Sequence, residues 1–300
     1  MAGGIGSRFW PLSKKKLPKQ FLDILGVGET LIQQTFRRLL LICPKENIFV
    51  VTNEDYFSLC KAQIPQLKDN QILCEPVMRN TAPCIAYAAF KIHTLNDQAN
   101  LIVAPSDHLI TNDIEYVRIV NEIFATIHEK DYLVTLGIQA SRPDTGYGYI
   151  QYDDAINLEE NHNIKKVKTF TEKPNRDLAL QFLDSGDFLW NAGIFAFTSK
   201  TIIDAFKKHL RDIYDIFSSG IDVYNTKKEQ EFINRIFPSC KNISIDYGIL
   251  EKSELVYVYP SDFGWSDLGT WVSIDDHLEK DEKNNCKRGE QLNLYDSKDN

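Results

Sequence analysis

The sequence predicts an α/β fold organised around a doubly wound, mainly parallel sheet. Short, nearly continuous apolar or β-branched runs recur in the first half of the chain: "NIFVVTN" (47–53), "QILCEP" (71–76), "NLIVAPSDHLI" (100–110) and "YLVTLGI" (132–138). Runs of this kind, bounded by polar residues, suit strands covered on both faces. Helical patterns separate them, namely "TLIQQTFRRLLLI", "EDYFSLCKAQIPQL", "TAPCIAYAAFKIHTLN" and "DIEYVRIVNEIFATIHEK", and strands alternating with helices feed a parallel sheet. After Arg142 the regularity loosens into "TGYGYIQYDD", "IKKVKTFTEKP" and "LWNAGIFAFTS". Strands with fewer helices between them imply that the sheet becomes mixed there and carries a substrate lobe.

In an open α/β sheet, ligands sit in the crevice beyond the carboxyl ends of the strands. The segments that close the predicted strands, "EPVMRNTAP", "PSDH" and "SRPDTGYG", are rich in polar side chains, so the chemistry is expected there. At 300 residues, 43% hydrophobic and 25% charged, the chain fits one large domain, or one plus a small appendage. Its formal net charge of −8 argues against non-specific nucleic-acid binding, which needs a broad basic face. Cys43, Cys60, Cys74, Cys84, Cys240 and Cys286 lack CxxC spacing and lie mostly in apolar runs, the pattern of buried reduced thiols rather than of a disulfide frame or a zinc site. No secretory apolar region follows Met1, and no run is long enough to cross a bilayer. A cytoplasmic protein with neither nucleic acid nor membrane as partner is the expectation.

The chain opens "MAGGIGSRFWPLSKKKLPKQF", with no Asp or Glu from Met1 to Leu22. Gly3, Gly4 and Gly6 let the backbone turn its N–H groups toward an anion, and Ser7, Arg8 and Lys19 complete a phosphate cradle. The planar fork of Arg8 suits phosphate oxygens, while Lys19 is a point charge placed by Pro18. The spacing is neither that of a Walker loop nor GxGxxG; a glycine-rich turn at a chain end is the alternative. Lys14, Lys15 and Lys16 read as a solvated run that steers anions.

These residues carry a resemblance. "AGGIGSRFWPLS" followed by "PKQF", and then "EPVMRNTAP", "APSDH", "TGYGYI", "FTEKP", "LWNAGIF", "SIDYGILEKS" and "FGWSDLGTW", stand in order across nearly the whole chain. In this the chain resembles the nucleotide-sugar pyrophosphorylases, in the form found in mannose-1-phosphate guanylyltransferases. The resemblance implies a Rossmann-like, three-layer nucleotidyltransferase domain over 1–283, with 284–300 as a linker into a C-terminal segment of β-helical character. It also implies a strand ahead of the glycine loop and further chain after the linker. Neither is complete in this sequence, so a shortened chain is expected, with a gap in the sheet that leaves neighbouring backbone groups unpaired.

The activity implied is transfer of GMP from GTP to mannose-1-phosphate, with Mg²⁺ as the metal. Arg8, Lys19 and Asp107 would be the catalytic groups, Arg8 on the β- and γ-phosphates and Lys19 on the α-phosphate. Asp107 in "PSDH" and Asp267 in "WSDLG" are the metal candidates, since Mg²⁺ takes one or two carboxylates along with phosphate oxygens; a helix cap or turn is the other reading of each. His108 is expected to make a structural hydrogen bond. Guanine presents an N1–H and an amino group, so its site wants an acceptor such as Glu75. Asn80 and Thr81 follow by resemblance as base or ribose contacts, with turn and cap as their alternatives. Gly146 and neighbouring Gly148, Glu172, Lys173, Asn191, Gly193 and, more distantly, Asp246 form the expected sugar-phosphate site. Bends, a surface ion pair between Glu172 and Lys173, and a turn at Asn191 are the competing readings. The attacking phosphate oxygen is already ionised at neutral pH, so no general base and no covalent intermediate are expected. A pyrophosphorylase for another sugar and base, or a non-catalytic nucleotide-sugar-binding subunit, are the alternatives, and a homodimer is compatible with all of them.

Overall fold

A computed structural model of the chain describes residues 1–285 apart from 5, 7, 8, 129, 159, 160, 276, 279, 283 and 284. The expected linker over 284–300 therefore lies outside the described residues except for Asn285, as does Cys286. The sheet comes in two main parts. In the first, β1 (Val50–Asn53) and β2 (Ile72–Glu75) pair in parallel, Val50 opposite Ile72 and Asn53 opposite Glu75. Successive residues of a strand face opposite ways. Val50 and Ile72 accordingly pack on α1 (Leu31–Leu39) and α2 (Phe57–Gln63) through Ile32, Phe36, Cys60 and Ile64. Val51 and Leu73 turn to the other face and meet α3 (Thr81–His93) through Ile85 and Ala86.

The larger part contains β3 (Asn100–Val103), β5 (Leu133–Gln139), β6 (Gly148–Asn157), β7 (Lys165–Glu172), β8 (Phe188–Thr198) and β9 (Val256–Ser261), in the order β3-β8-β5-β9-β7-β6. The same alternation builds two covered faces. Phe195 and Phe197 of β8 lie with α3 and the helix Ser199–His209, whereas Ile194 and Ala196 lie with α4 (Asp113–Ile127). The result is a three-layer α/β arrangement with a mixed sheet. Its direction differs from the expectation of a mainly parallel sheet: β1–β2 and β5–β9 are parallel, but β8 returns antiparallel between β3 and β5, and the β6–β7 hairpin adds further antiparallel pairs. An apolar run such as "LWNAGIF" reads the same in either direction, so periodicity alone does not set it.

The predicted run 100–110 divides. After Val103 the chain leaves the sheet, and a short strand β4 (Leu109–Ile110) pairs antiparallel with β10 (Trp265–Ser266). The amino end of the chain joins the two sheet parts at their carboxyl ends: Ala2 N–H donates to Val51 O at 2.7 Å, Ser106 N–H to Met1 O at 2.9 Å and the Met1 amino group to Ala104 O at 2.8 Å. Behind this junction an apolar cavity of about 190 Å³ separates β1 from β3, lined by Phe36, Val50, Ile85, Leu101, Val103 and Phe124 among others. Cys60, Cys74, Cys84 and Cys240 are buried free thiols. Among the described residues no helix is long and apolar enough to cross a membrane.

Candidate active site

One side of the crevice at the carboxyl edge, the side expected to take phosphate, is built around Lys19. Pro18 and a 3₁₀ turn over Lys19–Phe21 aim this lysine inward, where it is only 3% exposed. Its ammonium donates to the main-chain oxygen of Asp267 at 2.6 Å and lies 3.2 Å from Asp107 Oδ2. Asp267 reaches this point because Ser266 pairs with Leu109 across β10 and β4, which carries the next residue toward His108 and Asp107. His108 Nε2 lies 3.7 Å from Asp107 Oδ1, and its Nδ1 accepts the Trp265 indole N–H at 3.1 Å. Burial pushes the Asp107 carboxyl up, but Lys19 and then His108 outweigh it and hold the carboxyl below its ordinary value. Burial lowers His108, with Asp107 opposing it.

Gly6 explains why the opening loop can lie over this lysine. At φ +65° a Cβ on Gly6 would fall 2.6 Å from Lys19 Cβ, so bare backbone is required there. Gln20, which sequence reasoning passed over inside "PKQF", holds the loop by donating its amide to Ala2 O and Gly4 O, each at 2.9 Å. Gly4 itself has open space around it. Ser7 and Arg8 lie outside the described residues.

At the end where the base is expected, Glu75 closes β2 directly beneath Gly3, whose Cβ position is 3.5 Å from Glu75 Oε2. It is 4% exposed, its Oε1 has no hydrogen-bond partner among the described residues, and burial pushes its carboxyl up to about 7. Asn80, at φ 68°, spends its side-chain oxygen on Thr81 N–H at 2.9 Å as the cap of α3. Thr81 Oγ1 accepts Ile245 N–H at 2.8 Å, which fastens the π-helical turn Asp246–Leu250 to the start of that helix. The cap that the competing reading gave to Thr81 is thus made by Asn80, and Thr81 instead ties the helix start to a distant main chain.

The residues expected to take the sugar form a second cluster. Asn191 Nδ2 donates to Asp246 Oδ1 at 2.8 Å, while Asn191 Oδ1 accepts Gly193 N–H at 3.0 Å and Thr135 Oγ1–H at 3.2 Å. Glu172 stands over Gly148, where a Cβ would fall 2.5 Å from Glu172 Oε2 and 3.4 Å from Asn191 Cβ. Glu172 and Lys173 form an ion pair with each other. Burial, and then Glu172, raise the Asp246 carboxyl. Gly146 is set one turn away, its N–H held by Asp144 Oδ1 at 2.8 Å. Gly193 falls nearer the phosphate side, with Pro105 Cγ 3.7 Å and His108 Cε1 4.0 Å from its Cβ position.

Tyr147 stands between the two sides. Its hydroxyl donates to Asp267 Oδ1 at 2.8 Å and its carbonyl accepts Lys173 N–H at 3.1 Å. Sequence reasoning treated the glycines around it as the working part of "TGYGYI" and missed it. Asp267 does not cap the short helix Trp271–Asp275; Thr270 does, its Oγ1 accepting Ser273 N–H at 3.2 Å. Among the described residues no group of three or more His, Cys, Asp or Glu side chains is set for a metal. The carboxylates of Asp107 and Asp267 both lie near enough to His108 to raise it against the effect of burial, and two carboxylates at one place fit Mg²⁺, which takes few protein ligands and completes its sphere with phosphate and water.

Cations and carboxylates gathered at the strand ends of a three-layer α/β sheet mark, as a class, an enzyme that handles phosphate esters. A profile of the nucleotidyl transferase family matches residues 1–284, and the chain belongs to that family. It is 36% identical over 308 residues to the alginate biosynthesis protein AlgA of Pseudomonas aeruginosa, a match spanning 99% of this chain and 61% of that protein. It is likewise 36% identical to a mannose-1-phosphate guanylyltransferase of Salmonella muenchen, over 100% of this chain and 63% of the relative. A crystal structure described as mannose-1-phosphate geranyltransferase from Thermus thermophilus superposes with a TM-score of 0.82 at 30% identity, over 94% of this chain and 79% of that one. The chain therefore spans only 61% and 63% of the length of these two curated relatives.

Proposed function

We propose that the chain transfers GMP from GTP to mannose-1-phosphate, releasing pyrophosphate. The observation that carries this reading is the apposition, across Tyr147, of the Lys19–Asp107–Asp267 group and the Glu172–Asn191–Asp246 group. Such a crevice can hold a triphosphate at one end and a sugar phosphate at the other. In the reaction, a phosphate oxygen of the sugar phosphate forms a bond to the α-phosphorus of GTP. The bond from that phosphorus to the oxygen bridging to the β-phosphate breaks in line, and pyrophosphate leaves with the electron pair.

The residues act by placement and charge. Lys19 supplies a positive charge beside the α-phosphate, sharing or releasing Asp107 as it does so. Gly3 and Gly6 let the loop backbone approach the phosphates, and Arg8 is assigned to the β- and γ-phosphates. Glu75 accepts from the guanine N1–H and amino group. Glu172 and Asn191 orient the sugar hydroxyls, and Lys173 takes its phosphate. Asp107 and Asp267 would hold Mg²⁺, which when bound neutralises developing charge on phosphate oxygens.

Incubating the chain with each nucleoside triphosphate and each sugar-1-phosphate, while following pyrophosphate, tests the reading. The expected preference is GTP with mannose-1-phosphate. A preference for UTP or dTTP with glucose-1-phosphate would replace it.

A further inference from the structure

Asp267 is seated by groups that the reaction itself does not use. Its Oδ1 receives Tyr147 O–H at 2.8 Å and Gly269 N–H at 2.7 Å. A Cβ at position 269 would stand 2.4 Å from Oδ2, so the carboxylate rests against bare backbone on that side. The phenol ring is fixed in turn, edge-on to Trp190 and Trp265 at centroid separations of 5.0 and 5.3 Å. The Arg142 guanidinium lies 5.7 Å over the ring and donates to the phenolic oxygen at 3.3 Å. A phenol oxygen that accepts from a guanidinium keeps its own hydrogen for an acceptor, and the acceptor in reach is Asp267. Arg142 is itself held by Asp144 at 2.9 Å and lies 5.0 Å over the Trp190 ring, so the chain of contacts is anchored at its far end.

We propose that Tyr147 is a positioning residue, whose hydroxyl holds the Asp267 carboxylate in the orientation that a divalent cation requires. The proposal rests on the reading of Asp267 as a cation ligand. Partners that orient a metal ligand are worth roughly 10- to 100-fold in metal affinity. Tyr147→Phe keeps the ring, its packing and the main chain that holds Lys173, and removes the hydroxyl, with its bond to Asp267 and the longer one it receives from Arg142. Tyr259→Phe is the control: it deletes a phenol that donates to Glu122 at 2.6 Å, between β9 and α4.

The experiment titrates Mn²⁺ into the full chain and both variants, reading bound ion by water-proton relaxation, with thermal melts alongside. In Tyr147→Phe, Mn²⁺ affinity should fall by about 10-fold, and the Mg²⁺ needed for half-maximal pyrophosphate release should rise similarly. The KM for sugar phosphate should stay within about twofold of the parent, because the main chain is untouched. Tyr259→Phe should bind Mn²⁺ as the parent does. Parental Mn²⁺ affinity in Tyr147→Phe, an equal loss in both variants, or a parent that binds no Mn²⁺ would each overturn the proposal. If the ion titration behaves as expected but no nucleotide and sugar pair yields pyrophosphate, the proposed activity fails and the role of Tyr147 stands.

Discussion

Around Lys19, the buried ammonium is paired with Asp107, with His108 beside it; around Asn191, Glu172 and Asp246 have Lys173 as their cation, and it is paired with Glu172. The consequence shows in the two aspartates. Both are pushed up by burial, but Lys19 and His108 bring Asp107 below its ordinary value, while Glu172 adds to the rise at Asp246. The Asp107 carboxylate is balanced by the buried Lys19 ammonium before any ligand arrives, so a metal and a triphosphate would have to exchange partners with it. The cluster around Asn191 is short of positive charge and long on acceptors, a composition suited to sugar hydroxyls, which donate without adding charge. Removing a carboxylate should therefore do opposite things on the two sides.

The largest effect should come from the balanced side. Asp107→Ala removes one of two candidate cation ligands and strips Lys19 of its partner. Pyrophosphate release should fall by about 10³-fold; Mg²⁺-dependent turnover surviving at parental rate would remove Asp107 from the mechanism. Next comes Gly148→Ala, which breaks the sugar side without touching its charges. The new methyl group would meet Glu172 Oε2 at 2.5 Å, so that carboxylate must swing away. We expect kcat/KM for the sugar phosphate to drop by about 10²-fold, with GTP affinity unchanged by equilibrium dialysis. Equal losses for both substrates would show that the two sides are not separable.

How much of this contrast was legible in the sequence depends on what each part rests on. The helices α3 and α4 and strands β1, β2 and β5 follow from local period, and the structure puts each within the predicted run, save that β5 ends one residue past its run at Gln139. The direction of β8 did not follow, because alternation carries no polarity. Asp107 and Asp267 could be singled out by residue type and motif, but their meeting depends on the pairing of β4 with β10, two residues long each. Too short a strand leaves no periodic signal. The Lys19–Asp107 pair is a tertiary fact of the same kind. Tyr147 and Gln20 were missed for another reason: each works through hydrogen bonds to something distant, and neither residue type announces that.

Glu75 carries the contrast to the base end, where a carboxyl is buried with its Oε1 unpartnered among the described residues. Burial lifts it from 4.5 to about 7. A carboxyl whose folded pKa is raised stabilises the fold fully below the unfolded value and loses that stabilisation as pH rises through the folded one. Relative to Glu75→Gln, the parent should lose about 3 kcal/mol between about pH 4.5 and about pH 8, measured by urea unfolding at each pH. A difference that stays flat across that window would mean that Glu75 is solvated or paired in solution.

The smallest effect is the one that separates the two sides most directly. Asp246→Asn keeps an oxygen to accept from Asn191 Nδ2, now at 2.8 Å, and removes a negative charge that burial and Glu172 both disfavour. The raised carboxyl is ionised at high pH and protonated at low pH, so the substitution should stabilise the fold at about pH 8 and stop doing so as pH falls toward about 4. A gain of about 3 °C in melting temperature at the upper end corresponds to roughly 1 kcal/mol in a chain this long. Asp107→Asn should move the other way at about pH 8, because it removes the partner of a buried lysine. If both variants shift the melting temperature in the same direction, the sugar side already contains a compensating cation and the electrical contrast between the two halves of the crevice is wrong.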